Sequence, residues 1–147
     1  MKFILLIICF FIKMNIFANK IDNFTLPIYD TKEEFNLAHY SKNYERVYLN
    51  FWASWCSACI QEIDELEGLK SKYVDKKILF IAINAGEKRK KIKRFLTKNI
   101  FSYLILEDSD RRVSKQLGVT ELPRSIIIDK NRNILYSSDR PPKEISF

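Results

Sequence analysis

Two cysteines three residues apart, Cys56 and Cys59, are the side chains in this sequence best placed to do chemistry. They follow the β-prone run Val47-Tyr48-Leu49-Asn50-Phe51-Trp52, which reads as a buried strand within Glu45 to Trp52. After them, Cys59, Ile63, Leu66, Leu69 and Tyr73 recur at three- and four-residue steps, the apolar face of a helix. Cys56 therefore stands at the predicted helix start and Cys59 one turn inside. Residues three apart on a helix are neighbours, within disulfide range after modest adjustment of the first turn. The unpaired N–H groups and partial positive charge of a helix N-terminus favour thiolate over thiol. Cys56 is expected to have a lowered pKa and to attack as the nucleophile. Cys59, turned inward, is expected to resolve the mixed disulfide.

Other uses of the pair are weaker. Crosslinking across two residues gives little entropic stabilisation, which argues for chemistry over an inert bridge. A zinc site would need two further Cys or His ligands, and of those only His39 is available, a residue expected at the surface. No metal or organic cofactor is expected, and no other cysteine or histidine supports a cysteine hydrolase. Glu62 lies three residues beyond Cys59 on the same side of the helix. A carboxylate there could take the Cys59 proton when that thiol must become a nucleophile; it could equally be one more exposed acid beside Asp64, Glu65 and Glu67.

At 147 residues with 47% hydrophobic residues, the chain has room for one domain with a filled core. Residues 1–18 read as a secretory signal: Lys2, an apolar run from Phe3 to Ile12, and Ala18. Ten residues of helix rise about 15 Å, half of a bilayer's hydrocarbon thickness, so a stable span is not expected. A short uncleaved anchor is the alternative, because Ile16 is bulky where a small residue is preferred. Cys9 falls inside this segment, and Ile8 before it does not fit a lipid-attachment site. The domain is expected over 19–147. The net charge of +7 is concentrated partly in Lys88-Arg89-Lys90-Lys91 with Lys93 and Arg94. No aromatic residues interleave with this run, so nucleic-acid binding is not expected. A solvated helix face is the plain reading, an anionic membrane surface or acidic partner the alternative.

Further along, Ile78 to Ile83 is a second apolar strand. Ile92, Phe95, Leu96 and Ile100 mark a second amphipathic helix, and Tyr103 to Leu106 a third strand. Glu107-Asp108-Ser109-Asp110 offers caps for a short helix ending near Gly118. Ser125 to Ile128 and Ile134 to Tyr136 flank a polar turn and read as a hairpin. Strands alternating with helices and then a hairpin imply an α/β domain with a mixed sheet covered on both faces.

Phe51-Trp52-Ala53-Ser54-Trp55-Cys56-x-x-Cys59 resembles the thioredoxin active-site motif, and Val119-Thr120-Glu121-Leu122-Pro123 resembles the loop that carries its cis-proline. With Asp22 to Pro27, the insertion from Asn84 to Val119 and Ile126-Ile127-Ile128-Asp129, the chain is similar to the TlpA/ResA branch of exported thioredoxin-like proteins, from about Phe24 to Ser138. The resemblance implies a thioredoxin-like fold, a mixed central sheet flanked by helices. It also implies a periplasmic or outward-facing, membrane-associated reductant, often serving cytochrome c maturation. Partners would be protein dithiols and disulfides such as apocytochrome c, with electrons from a membrane dithiol donor; a monomer is expected. Pro123 would take the cis-proline role, with Leu122 and Trp55 beside it in the substrate-binding groove. Glu62 matches the family's acidic residue, and Asn50 stands where thioredoxin has a buried aspartate, which leaves proton transfer to Glu62.

Three departures carry expectations of their own. Asp64 replaces a customary proline, so the helix is expected to lack its kink. Arg124 follows Pro123, a cation that would lower the Cys56 pKa further if close. Only nine residues follow Ser138, too few for the family's closing helix, so one sheet face is expected to be poorly covered or the gene shortened. Beside cytochrome maturation stand general periplasmic disulfide exchange, a thiol peroxidase-like enzyme on the same fold, and a non-catalytic docking module.

Overall fold

The computed structural model describes residues 19–147. The expected signal segment 1–18, with Cys9, lies outside the described residues. In chain order, a small antiparallel hairpin pairs β1 (Thr25–Pro27) with β2 (Glu34–Asn36) and leads into the single-turn helix α1 (Leu37–Tyr40). Then come β3 (Arg46–Trp52), α2 (Ser57–Gln61), α3 (Ile63–Lys72), β4 (Ile78–Ala85), α4 (Arg89–Leu96), β5 (Leu104–Asp108), α5 (Arg112–Gln116), β6 (Arg124–Asp129) and β7 (Ile134–Ser138). The main sheet has the order β5-β4-β3-β6-β7. β3 runs parallel to β4, as β4 does to β5, whereas β6 and β7 run antiparallel to their neighbours. This is the mixed α/β sheet that the alternating pattern predicts.

Every residue of β3 from Val47 to Trp52 is buried, because the strand lies mid-sheet with both faces covered. Side chains alternate between the two faces. Val47, Leu49 and Phe51 join Phe24, Phe35, Leu37 and Val113 beneath the hairpin and α5. Tyr48 and Trp52 join Cys56, Cys59, Leu66, Ile92 and Phe95 beneath α2, α3 and α4. Asn50 sits between Tyr48 and Trp52 in this alternation, so the same period turns its amide towards the helix pair that follows the cysteines.

Three expectations need correction. The helix after Cys56 is interrupted despite Asp64. At Glu62 the backbone takes φ −89° and ψ −1°, and its N–H reaches back to the carbonyls of Ala58 and Ile60, so α2 ends there and α3 restarts. A proline is not needed for the break. Ile100 lies beyond the end of α4 and is exposed. Among the described residues no helix follows β7, yet the face it would cover is not bare. The tail turns back across it: Tyr136 donates from its hydroxyl to the Arg140 carbonyl (2.8 Å), the Tyr73 hydroxyl accepts from the Ile145 N–H (2.8 Å), and Pro141 and Ile145 are buried. Arg46 donates from Nε to the Ser146 carbonyl (3.0 Å) and lies over the Phe147 ring.

Candidate active site

Cys56 caps the N-terminus of α2 with extended backbone (φ −86°, ψ 99°), and its Sγ accepts the N–H of Cys59 at 3.2 Å. The two cysteines form a disulfide, Cα atoms 5.3 Å apart, and both are buried. An amide that points at Cys56 Sγ in the disulfide is already placed to stabilise a thiolate once that bond opens. Trp55 beside it is 67% exposed. The Leu122–Pro123 peptide bond is cis, and Pro123 is buried.

The helix break turns Glu62 inward. Its Oε1 accepts from Asn50 Nδ2 at 3.0 Å, and only 8% of the residue is exposed. Loss of water around the carboxylate raises its pKa to about 7; the Asn50 hydrogen bond opposes the rise, and Glu65 and Asp139 add to it. Glu62 is thus a partly buried acid able to change protonation near neutral pH. It opens onto a groove of about 660 Å³ lined also by Leu122, Pro123, Glu121 and Asp139. Glu62, Leu122 and Pro123 thus share one groove although about sixty positions separate them in sequence, and Leu122 also packs against the core cluster that holds Cys56 and Cys59. Arg124 instead enters β6 opposite Phe51, and among the described residues its side chain makes no hydrogen bond or salt bridge. His39 is exposed on α1. Among the described residues no cluster of three or more His, Cys, Asp or Glu could hold a metal ion.

Glu87 is a further buried carboxylate, one that no motif or spacing singles out. Glu87 Oε2 accepts from the Ser54 N–H (2.7 Å) and Asn84 Nδ2 (2.8 Å), and its Oε1 from the Ser54 hydroxyl (2.6 Å). Burial would raise its pKa, but these donors and nearby Lys91 outweigh it and hold the carboxyl below its usual value. Glu87 thereby ties the loop ahead of Cys56 to the end of β4. The turn that delivers it depends on Gly86 (φ 93°), where an added Cβ would meet the Arg111 side chain at 3.1 Å. The only sequence signal was an Asn-x-Gly-Glu run after an apolar strand, and it does not say which loop the acid will hold.

Comparison with known proteins places the chain in a family. The Redoxin family profile matches residues 18–146. The chain is 33% identical over 89 residues to thiol-disulfide oxidoreductase ResA of Bacillus thuringiensis, covering 60% of this chain and 51% of that protein. It is 31% identical over 88 residues to ResA of Geobacillus thermodenitrificans, again 60% and 51%. The chain thus spans about half the length of the curated relatives it matches. Among solved structures, a Chlorobium tepidum protein described as a thiol:disulfide interchange protein of the DsbE type superposes with TM-score 0.72 at 28% identity, covering 81% of this chain and 82% of that one. A Bacteroides fragilis thiol-disulfide oxidoreductase shares the fold with TM-score 0.75 at 23% identity, covering 85% and 93%. With a thioredoxin-like sheet and a Cys-x-x-Cys disulfide at the start of α2, the chain belongs to the Redoxin family, whose profile spans nearly all of it.

Proposed function

We propose that this chain is an exported thiol:disulfide oxidoreductase that works as a reductant, with Cys56 attacking and Cys59 resolving. The observation that carries the reading is the Cys56–Cys59 disulfide capping α2, with Cys56 Sγ on the Cys59 N–H. In the dithiol state, the Cys56 thiolate attacks one sulfur of a protein disulfide. A mixed disulfide forms and one substrate thiolate leaves. Cys59 then gives its proton to Glu62 and attacks Cys56 Sγ. The intramolecular disulfide forms and the second substrate thiol is released, reduced by the two electrons the enzyme has lost. Glu62, raised to about 7, accepts that proton in its ionised form and returns it when the dithiol is regenerated. Leu122, Pro123 and Trp55 frame the substrate groove; the Leu122 backbone pairs with an extended chain.

Apocytochrome c is the substrate this reading favours, with a membrane dithiol restoring the reduced state, residues 1–18 acting as signal or short anchor, and the mature chain working as a monomer outside the cytoplasm. The names of the ResA relatives support dithiol exchange. Among the described residues no helix is long and apolar enough to cross a membrane. The midpoint potential of the Cys56–Cys59 couple, measured against glutathione or dithiothreitol buffers, tests the direction. A value near about −250 mV supports a reductant; one above about −150 mV overturns the cytochrome-maturation reading. No reversible two-electron change on alkylation trapping would overturn exchange itself.

A further inference from the structure

The basic run singled out in the sequence is not used by the exchange chemistry. Lys91, Arg94 and Lys98 recur at three- and four-residue steps and are exposed, while Ile92 and Phe95 between them are buried. The stripe lines a cavity of about 350 Å³ whose other wall is Ser54 and exposed Trp55, the residues just before Cys56. A neighbouring hollow of about 490 Å³ shares Lys91 and Arg94 and adds Lys88 and Lys90. Arg89, on the same helix, is paired with Glu107 at 2.7 Å. Among the described residues, no carboxylate lies within 4.0 Å of the charged atoms of Lys91, Arg94 or Lys98. The one acid lining the cavity, Glu87, is buried and already accepts three hydrogen bonds. The groove beside Pro123 is more acidic, with Glu62, Glu65, Glu121 and Asp139 against Arg140 and Lys143.

Like charges one helical turn apart repel, and buried Glu87, whose ionised form Lys91 favours, is the one acid in the cavity to offset them. A concave cationic wall suits carboxylates presented by an extended chain, and the exposed Trp55 ring at its edge offers apolar contact to the chain that carries them. We propose that the cavity between Trp55 and the Lys91–Arg94–Lys98 stripe docks acidic residues flanking the cysteine that Cys56 attacks, so that this oxidoreductase prefers substrates with acid on one side of their disulfide. The inference rests on the thiol–disulfide exchange proposed above. Trp55, next to Cys56 in sequence, lines the cavity, and two to four residues of extended chain flanking the attacked cysteine span about 7–13 Å. A bilayer is the poorer occupant. The cavity shares Ser54 and Trp55 with the active-site loop, so a membrane lying on it would cover the approach to the disulfide.

The test uses the full chain in its reduced state and four synthetic disulfide peptides. They carry two Asp or two Lys on either the N-terminal or the C-terminal side of the cysteine. Each rate is divided by that of the same protein with neutral 2-hydroxyethyl disulfide. One acidic placement is expected to exceed its lysine counterpart by about tenfold at low ionic strength, and the ratio to fall close to one in about 0.5 M NaCl. Lys91→Glu/Arg94→Glu/Lys98→Glu should invert the preference. The milder Arg94→Gln/Lys98→Gln should reduce it, and the salt titration of the unaltered chain needs no variant to fold. Equal rates for acidic and basic peptides, or a preference that ignores both salt and variants, overturn this inference alone. So does binding to phosphatidylglycerol vesicles that needs the stripe while the peptide preference is absent, an outcome that assigns the stripe to a membrane. Failure to react with any of the disulfides overturns the exchange reading, and this inference with it.

Discussion

Replacing Glu62 with glutamine should remove a pH dependence of stability that this residue imposes. Its carboxyl ionises near 4.5 in an unfolded chain and at about 7 in the fold. Between those values the native state holds more proton than the unfolded state, so stability falls as pH rises through the window and levels off above it. Carrying an acid from 4.5 to about 7 costs the ionised native state about 3 kcal/mol. The groove beside Pro123 admits water to the carboxylate, and screening reduces this to about 1.5 kcal/mol. Glutamine keeps the size of the side chain and an oxygen to accept from Asn50 Nδ2. The stability difference, Glu62→Gln minus the unaltered chain, should grow by about 1.5 kcal/mol in favour of the variant between pH 4.5 and pH 7.5. Urea unfolding without reductant, followed by tryptophan fluorescence in half-unit pH steps, reads this directly, and other titrating groups cancel in the difference. If the difference stays constant to within about 0.3 kcal/mol from pH 4.5 to 8, the raised pKa is refuted, and with it the case for Glu62 as a proton acceptor near neutrality.

Cys56→Ser should abolish dithiol turnover, whereas Cys59→Ser should still attack and then stall as a mixed disulfide visible by non-reducing mass spectrometry; the opposite assignment of roles would reverse the two results. Glu87→Ala leaves the Ser54 and Asn84 donors without their acceptor and should cost about 2–3 kcal/mol in urea unfolding at pH 7. Because the Glu87 pKa is lowered, its contribution is present above pH 4.5 and is lost in acid as the pH falls through the folded value, so the gap between variant and parent should narrow there. Ile145→Ala removes a buried side chain from the tail and should cost about 2–4 kcal/mol, read as a lower thermal midpoint; no change would mean the tail does not seal that face.

The parts of the fold legible in the sequence were those written in local pattern. Continuous apolar runs marked β3, β4 and the β6–β7 hairpin, and the Asp108 cluster foretold a capped helix: Asp108 accepts the N–H groups of Val113 and Ser114. The cysteine pair announced itself by spacing, and Pro123 by resemblance. What escaped depends on pairings across the fold. The break at Glu62 has no Gly or Pro to signal it, and it makes sense only once Asn50 is known to lie on the same sheet face. Glu87 and Ser54 are 33 residues apart, joined by a buried hydrogen-bond set that no periodicity encodes. The tail lacks the apolar rhythm of a helix because it covers its face with a few anchors, Pro141 and Ile145, instead of a stripe.

The sheet's two borders have a bearing on how copies of this protein meet one another. At β5, the Ile105 carbonyl is taken by the Tyr29 N–H and Leu106 is bridged by Ile28. At β7, the Asn19 carbonyl accepts the Ile134 N–H and Lys20 bridges Asn133, while a register shift at Ile127/Ile128 disturbs the pairing farther along. Among the described residues each margin is thus partly occupied by the chain's own N-terminal segment, which should disfavour zipping of neighbouring molecules strand to strand. For a molecule whose chemistry requires it to embrace other polypeptides briefly and let them go, that reticence at the rim is an asset.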